Sequence, residues 1–309
     1  MKKTLTTLLA VALLSCMGAG AATQQYSITL QPFSDVAISD EFQVSLVRGS
    51  DFRALLSVEE AFKDYVTCEV NGSVLNISLD ERSVPVDVKR QFRGKGSPDP
   101  MFSVVVYVPD LVKSVTLSEK AVLRDTEDLF DKASVSFELS GSSSVKQLTV
   151  SSQSVKIKMQ QKSSADFKVS CKLLTVETYN SSVLILDETS EESSYSMLGT
   201  SKVNSKCRTS HVKVYTKANC TMSLYGSGDS AEFNINGTSE VDASSFEVPD
   251  AKVNMSSVCK LSEAAYRTLT VNLNGGCTLL FANNPSFTIE NIKSATVSRL
   301  GGDRNSSRL

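Results

Sequence analysis

The chain has 309 residues, with 32 basic and 34 acidic side chains that give a formal net charge of −2. This balance, without a basic stripe, argues against a surface for nucleic acid. Tryptophan is absent and aromatic residues make up only 7% of the chain, which excludes a binding surface built on stacked indole rings.

The first residues have the pattern of an export signal. Two lysines precede a short apolar run, residues 5–14, which is too short to span a bilayer as a helix. A series of small residues follows, and its pattern predicts cleavage between Ala21 and Ala22. We therefore predict that residues 1–21 form a signal peptide.

Cys16 offers an alternative processing route. The run Leu13-Leu14-Ser15-Cys16 resembles a lipoprotein signal, in which Cys16 would become the acylated first residue. No later segment has the roughly 20 apolar residues of a transmembrane helix. Either route predicts an exported protein in the periplasm, on the outer membrane surface or outside the cell, and the second route adds a lipid anchor.

Short runs of alternating apolar and polar residues fill the N-terminal region, residues 22–118. Such alternation predicts strands with one buried and one wet face. Asn71-Gly72 between two runs is a strong hairpin signal, and a turn at residues 48–51 joins another two. We expect antiparallel strands here, placed to cap the coils that follow. Residues 82–99, rich in Gly, Pro, Lys and Arg, predict a loop.

A repeat with a period near 19 residues then runs from Gly141 to Leu279. Each repeat has a Ser or Cys two positions before an apolar anchor. The Ser or Cys positions are Ser143, Ser163, Ser181, Ser201, Cys220, Ser239, Ser256 and Cys277. The anchors are Val145, Ala165, Val183, Val203, Met222, Val241, Val258 and Leu279. Glycines that favour positive φ at a tight corner stand four positions before some anchors: Gly141, Gly199, Gly237 and Gly275.

A fixed period of this length predicts coils that stack, each burying the next. We predict an all-β fold in which antiparallel N-terminal strands lead into a right-handed parallel β-helix of about eight coils over residues 119–295. The Ser and Cys positions should form one column, in which neighbouring hydroxyls bond to each other. Residues 296–309 predict a polar C-terminal tail.

Six cysteines follow the signal region. An even number in an exported protein allows disulfides. Cys220 and Cys277, however, stand where other repeats have serine, which favours small, buried free thiols. The chain has no Cys-x-x-Cys pair and a single histidine, so the sequence indicates no metal and no cofactor.

The residues with catalytic chemistry fit a structural interpretation better than a catalytic one. His211, the only histidine, lies on a predicted outward strand face, and no Gly-x-Ser-x-Gly elbow is present. The acidic residues Asp187, Glu188, Glu191 and Glu192 lie among Ser and Thr residues. They predict a solvated loop rather than the carboxylate pair of a glycosidase.

Two further features are candidate surface sites. Lysines alternate with apolar residues over the early coils, as on the wet side of a sheet, and a patch for an anionic glycan is the alternative. These lysines are Lys156, Lys158, Lys162, Lys168 and Lys172. Asp229-Ser230-Ala231 resembles a short bacterial O-glycosylation motif, which makes Ser230 a candidate modification site.

Several motifs also follow one another in a distinctive order. They are residues 33–39, 42–49, 71–77 and 104–111, then the repeats at 141–145 and 237–241. Together they resemble the head GIN domain of putative auto-transporter adhesins. The resemblance covers most of the chain after the signal and implies a secreted bacterial β-helix-like domain with an adhesive role. It implies no catalytic residues.

The sequence therefore favours an exported, non-enzymatic binding or adhesion module whose partner is a glycan or a surface protein. A carbohydrate-active β-helix enzyme, either a polysaccharide lyase or a glycosidase, is the first alternative. A structural envelope protein without a specific ligand is the second. The pattern does not fix the oligomeric state.

Overall fold

The computed structural model describes residues 23–92 and 100–300, so the predicted cleavage between Ala21 and Ala22 and the alternative lipidation at Cys16 lie outside it. The fold is all-β, with parallel coils of about 19 residues stacked into a β-solenoid of about ten turns. The predicted fold class is confirmed, and the stack is longer than eight repeats because strands at both ends join it. No helix among the described residues is long and apolar enough to span a membrane.

The elements follow in chain order. The N-terminal strands are β1 Thr23–Thr29, β2 Asp35–Ile38, β3 Gln43–Arg48, β4 Arg53–Glu59, β5 Val66–Asn71, β6 Val74–Leu79, β7 Phe102–Val108, β8 Ser114–Leu117 and β9 Val122–Leu123. A 3₁₀ helix, Glu60–Tyr65, and an α-helix, α1 Val86–Gln91, lie among them. The later strands are β10 Ser134–Leu139, β11 Ser144–Ser151, β12 Ser154–Met159, β13 Ser164–Ser170, β14 Leu173–Thr178, β15 Val183–Gly199, β16 Lys202–Ala218, β17 Thr221–Gly237, β18 Glu240–Ser257, β19 Lys260–Asn274, β20 Thr278–Phe281, β21 Ser286–Lys293 and β22 Thr296–Arg299.

The coils form two stacks of parallel strands, which we call the first and second sheets. The first contains β3, β9, β11 and β13, and the second contains β2, β8, β10, β12 and β14. From β15 to β19 one long strand passes through both sheets, its first half in the first sheet and its second half in the second. β20 and β22 extend the first sheet and β21 the second, so stacking continues past both predicted boundaries, at 118 and 295.

The N-terminal strands combine both kinds of pairing. β4 pairs antiparallel with β1 and β7, and β5 and β6 form the predicted hairpin at Asn71 and Gly72. β3 does not form the expected hairpin with β4, because its parallel neighbours β7 and β9 occupy both of its edges. β7 thus joins the antiparallel strands to the first coils.

The predicted loop at residues 82–99 contains the short helix α1. Val88 and Phe92 lie four residues apart, so both can reach the core from one helical face. The Phe92 ring lies 5.2 Å from the ring of Phe62. The loop prediction is wrong for α1 because basic residues around this apolar pair obscured it. Residues 93–99 lie outside the described part of the chain.

The column of small residues is confirmed at most of its predicted positions. The predicted members that are buried are Ser143, Ser163, Ser201, Cys220, Ser239 and Cys277. The bonding of two members differs from the prediction, since Ser163 Oγ donates to the Gln160 carbonyl at 2.8 Å and Ser239 Oγ to the Asn236 carbonyl at 3.0 Å. These two hydroxyls close the corner of their own coil. The predicted bond between neighbouring column members is present from Ser201 Oγ to Cys220 Sγ, at 3.7 Å.

The coil near residue 182 is shifted by one residue from the predicted register. Ser182 and Leu184 are buried, whereas Ser181 is exposed and Val183 is 42% exposed. Two adjacent serines made the two registers look alike in the sequence. Because strand side chains alternate, a slip of one residue turns each side chain to the opposite face.

The coil near residue 259 departs further from the prediction. Cys259 and Leu261 take the buried positions expected for Ser256 and Val258, and Val258 is 68% exposed. Ser257 adopts a left-handed backbone conformation at the corner, with a φ of 76°. The buried strand therefore begins later than the average period predicts.

The corner that precedes the column contains a left-handed residue in successive coils. The predicted glycines Gly141, Gly199, Gly237 and Gly275 have φ values from 69° to 93°. Coils between them use residues with a Cβ atom, such as Gln161 with a φ of 60° and Ala218 with a φ of 84°. The corner geometry is thus common to the coils, although its sequence varies.

Candidate functional site

The outer face of the second sheet over β15–β19 is a regular polar surface, which we call the polar face. Its side chains alternate with buried ones such as Val212 and Ala231. The first column along the stack is Glu192, His211, Ser230, Asp250 and Thr268. The second is Ser194, Lys213, Glu232, Lys252 and Thr270, and the third is Ser196, Tyr215, Asn234, Asn254 and Asn272. Neighbours in a column are about 4.8 Å apart, the spacing of paired strands.

The first two columns line an open groove of about 770 Å³. Leu173, one coil before Glu192 in the same column, lines the groove as well. The third column from Tyr215 to Asn272 lines a second depression of about 410 Å³, together with the neighbouring Asn236, Ser256 and Asn274. Both depressions lie on one sheet face and can contact a single extended ligand.

His211 and Ser230 are in direct contact inside the groove. Ser230 Oγ lies 2.7 Å from His211 Nδ1, and His211 is exposed, as the sequence predicts. Both residues lie in paired interior strands of the sheet, where backbone N–H groups are engaged in the ladder. Those amides are therefore not available as oxyanion donors.

Ion pairs neutralise the charged side chains of the second column. Lys213 Nζ lies 3.2 Å from Glu232 and Lys252 Nζ lies 3.6 Å from Glu290. The side-chain amide of Asn234 and the ammonium of Lys213 lower the pKa of Glu232. The polar face therefore combines paired charges with uncharged hydrogen-bonding groups.

Asp250 is paired with Arg267 at the edge of the groove. Arg267 Nε donates to Asp250 Oδ1 at 3.0 Å, and a second guanidinium nitrogen contacts the other carboxylate oxygen. This bidentate pair lowers the pKa of Asp250. The carboxyl of Asp250 is therefore ionised over the ordinary pH range.

Asparagine amides in the third column are linked by hydrogen bonds. Asn254 Nδ2 donates to Asn234 Oδ1 at 2.9 Å, and Asn234 Nδ2 donates to Glu232 Oε1 at 2.9 Å. Asn272 continues the column in the next coil. No sequence motif marks this set, although its members are spaced by about one coil and the repeat period could have revealed them.

The acidic cluster lies in strand β15 and not in a loop, so that prediction is wrong. Asp187 lies 3.6 Å from Lys206 Nζ, and Glu191 lies 3.5 Å from Lys172 Nζ. Glu188 points the other way and is fully buried, because side chains on a strand alternate between faces. Of the four carboxylates, Glu192 is the one on the polar face.

Glu188 is the centre of a buried polar network. Ser193 Oγ donates to Glu188 Oε2 at 2.7 Å, and the Tyr195 hydroxyl bonds to the other oxygen. The Tyr195 hydroxyl also lies 2.8 Å from Ser205 Oγ. Burial raises the pKa of Glu188, and these hydrogen bonds offset part of that effect. The network lies inside the solenoid and is structural.

Glu263 is a second buried carboxylate. Its Oε2 accepts a hydrogen bond from the Ala265 N–H at 2.6 Å, whereas Oε1 has no partner among the described residues. Burial raises its pKa from 4.5 to about 7. We therefore expect this carboxyl to make the stability of the protein depend on pH.

The lysines of the early coils do not form one basic patch. Lys156 lies 2.9 Å from Glu177 and Lys158 lies 3.5 Å from Glu138 on neighbouring coils of the second sheet. Lys168 belongs to β13 in the first sheet. The distribution fits the wet side of two sheets and gives no concentrated site for an anionic glycan.

The cysteines and carboxylates do not cluster into a metal site in the described ranges. Among residues 23–92 and 100–300, no group of three or more His, Cys, Asp or Glu side chains is arranged to hold a metal ion. All six described cysteines are free thiols, and Cys207, Cys220, Cys259 and Cys277 are buried. The thiols therefore serve packing in this structure.

The stacked coils and the polar outer face define the class of protein as a β-solenoid with an extended polar surface. The sequence matches the family described as putative auto-transporter adhesin, head GIN domain, over residues 32–218 and 185–285. These matches span most of the chain, and the protein belongs to this family. No curated protein matches the sequence.

The chain is also similar to solved structures from Parabacteroides. A putative adhesin from Parabacteroides merdae ATCC 43184 has a TM-score of 0.51 at 15% identity, with 90% of this chain and 96% of that chain covered. A putative adhesin from Parabacteroides distasonis ATCC 8503 gives 0.48 at 12% identity, with 92% and 98% covered. A putative lipid binding protein from the same strain gives 0.46 at 15% identity, with 90% and 96% covered. At 15% identity, the similarity to the Parabacteroides merdae structure shows the fold alone.

Proposed function

We propose that the chain is an exported, non-enzymatic binding or adhesion module that holds its partner on the polar face. The groove around His211 and Ser230 carries this proposal, because it is broad, open and lined by hydrogen-bonding groups that repeat from coil to coil. Membership of an adhesin-type family supports the same role. The partner is a glycan or a surface protein.

Export and processing complete the proposal. Residues 1–21 are removed between Ala21 and Ala22, or the chain is lipidated at Cys16, and the N-terminal region 22–118 caps the coils. Ser230 remains a candidate for O-glycosylation, and its hydroxyl is bonded to His211 in the unmodified chain. Modification there would cover the groove.

The carboxylates of the polar face support binding over glycoside cleavage. A glycosidase needs one carboxyl that keeps its proton until the leaving group takes it, which requires a raised pKa. Glu232 and Asp250 instead have lowered pKa values, since Asn234 and Arg267 stabilise their charged forms. The raised pKa values of Glu188 and Glu263 belong to side chains buried inside the solenoid.

The test combines a glycan array with an activity screen on polysaccharides, using the chain from Ala22 onward. We expect binding without turnover, and Ser230→Tyr should weaken the binding by filling the groove. Ser223→Tyr is the matched control, because Ser223 is an exposed serine of the same strand on the first sheet. Turnover that is lost in Glu192→Ala or Glu191→Ala would overturn the proposal in favour of an enzyme.

A further inference from the structure

The third column of the polar face repeats one functional group in successive coils. Asn234, Asn254 and Asn272 occupy equivalent positions, and Tyr215 precedes them in the same column. Three steps between four paired strands give a track of roughly 14 Å along the solenoid axis. A ligand with its own repeat can meet the same amide at each step.

Hydrogen bonds orient two amides of the column, those of Asn234 and Asn254. Asn254 donates to Asn234, and Asn234 donates to Glu232, so each bond orients the next amide. An amide group has two N–H donors and a carbonyl with two lone pairs. The bonds to Glu232 in the second column and from Asn254 use one donor and one acceptor of Asn234, which leaves one of each for a ligand. A group that is already oriented loses less entropy when it binds.

The surroundings of the column favour an uncharged partner. Lys213 compensates the charge of Glu232, and Lys252 is paired with Glu290. An anionic or cationic polymer would have to break or compete with these pairs. Neutral hydroxyl groups can instead donate to and accept from the amides. Tyr215, 36% exposed at one end of the track, offers a ring for the apolar face of a sugar.

We propose that this asparagine column binds a neutral glycan chain lying along the solenoid axis. Tyr215 packs against one sugar ring, and the amides of Asn234, Asn254 and Asn272 bind hydroxyl groups of the following units. The inference rests on the proposed function, because it names the substrate class and the part of the polar face that recognises it.

The experiment measures binding of soluble neutral glucans, mannans and galactans by calorimetry, with polyuronates as anionic comparators. We expect affinity to rise with oligomer length until the ligand spans the track. Asn254→Ala should weaken binding about fivefold to tenfold, the loss of one net hydrogen bond or slightly more. Asn204→Ala is the matched control, since Asn204 is an exposed asparagine on the first sheet.

Each outcome separates this inference from the proposed function. Binding of a neutral glycan that is unchanged by Asn254→Ala and Tyr215→Ala, with thermal stability retained, would overturn the asparagine site alone. Binding restricted to polyuronates would do the same. The proposed function itself would fail if no glycan binds and if Ser230→Tyr and Asn254→Ala both leave attachment of the protein to its surface partner intact. The polar face would then not be the binding surface.

Discussion

Gly237 lies directly over Ala218 of the preceding coil, and both residues have left-handed backbones, with φ values of 79° and 84°. A Cβ atom added to Gly237 would lie 2.8 Å from the Ala218 nitrogen and closer still to its carbonyl oxygen. The atoms that such a Cβ would meet belong to the Ala218 backbone, so they cannot move aside as a flexible side chain could. The pair shows why glycine is needed at this corner although other corners accept a side chain.

Gly237→Ala should therefore destabilise the protein by about 2–4 kcal/mol, because backbone strain adds to a steric clash. Gly72→Ala is the matched control, since Gly72 also has a positive φ, 65°, but open space around its Cβ position. It should cost about 1 kcal/mol. Urea unfolding of both variants measures the difference, and equal costs would show that the stacking contact is unimportant.

The corrected register gives a second test, in which one substitution is made at two valines. Val241 is buried in the stack, and Val241→Asp should cost at least about 4 kcal/mol because it buries an unpaired charge. Val258 is 68% exposed, and Val258→Asp should change stability by less than about 0.5 kcal/mol. Similar losses in both variants, measured by thermal unfolding, would contradict the register.

Glu263 predicts a pH dependence of stability. The pKa of its carboxyl is about 7 in the folded chain and 4.5 in the reference state. Between pH 4.5 and pH 7, therefore, the folded chain keeps a proton that the unfolded chain has released. The unfolding free energy therefore falls as pH rises through this window, by about 3 kcal/mol in total.

Glu263→Gln removes this titration and should flatten the fall in stability between about pH 5 and pH 7. Glu247→Gln serves as the control, because Glu247 is exposed on the neighbouring strand β18. Denaturant unfolding at several pH values compares the three proteins. A Glu263→Gln profile that keeps the slope of the unmodified chain would assign the pH dependence to another group.

Processing of the N-terminus is a further prediction. The two lysines, the short apolar run and the small residues before Ala22 predict a mature chain that begins at Ala22. Intact-mass measurement of the exported protein checks this directly. A mass that includes diacylglycerol on Cys16 would establish the lipoprotein route instead.

The repeat period was sufficient to predict stacked coils, the small-residue column and the glycine corners. Gly141, Gly199, Gly237 and Gly275 all have positive φ, as their spacing indicates. These features follow from the sequence because each coil repeats the same local demands, and a signal that recurs along the chain survives variation in any single coil.

The exact register and the binding surface depended on tertiary structure. Ser182 and Cys259 replaced Ser181 and Ser256 in the column because corner geometry varies between coils, and a shift of one residue reverses the face of a strand. The alternation of side chains along a strand also buries Glu188, although its neighbours in the sequence point outward. The contacts of His211 with Ser230 and of Asn234 with Asn254 join residues about one coil apart, so they exist only once the corners have set how the coils align.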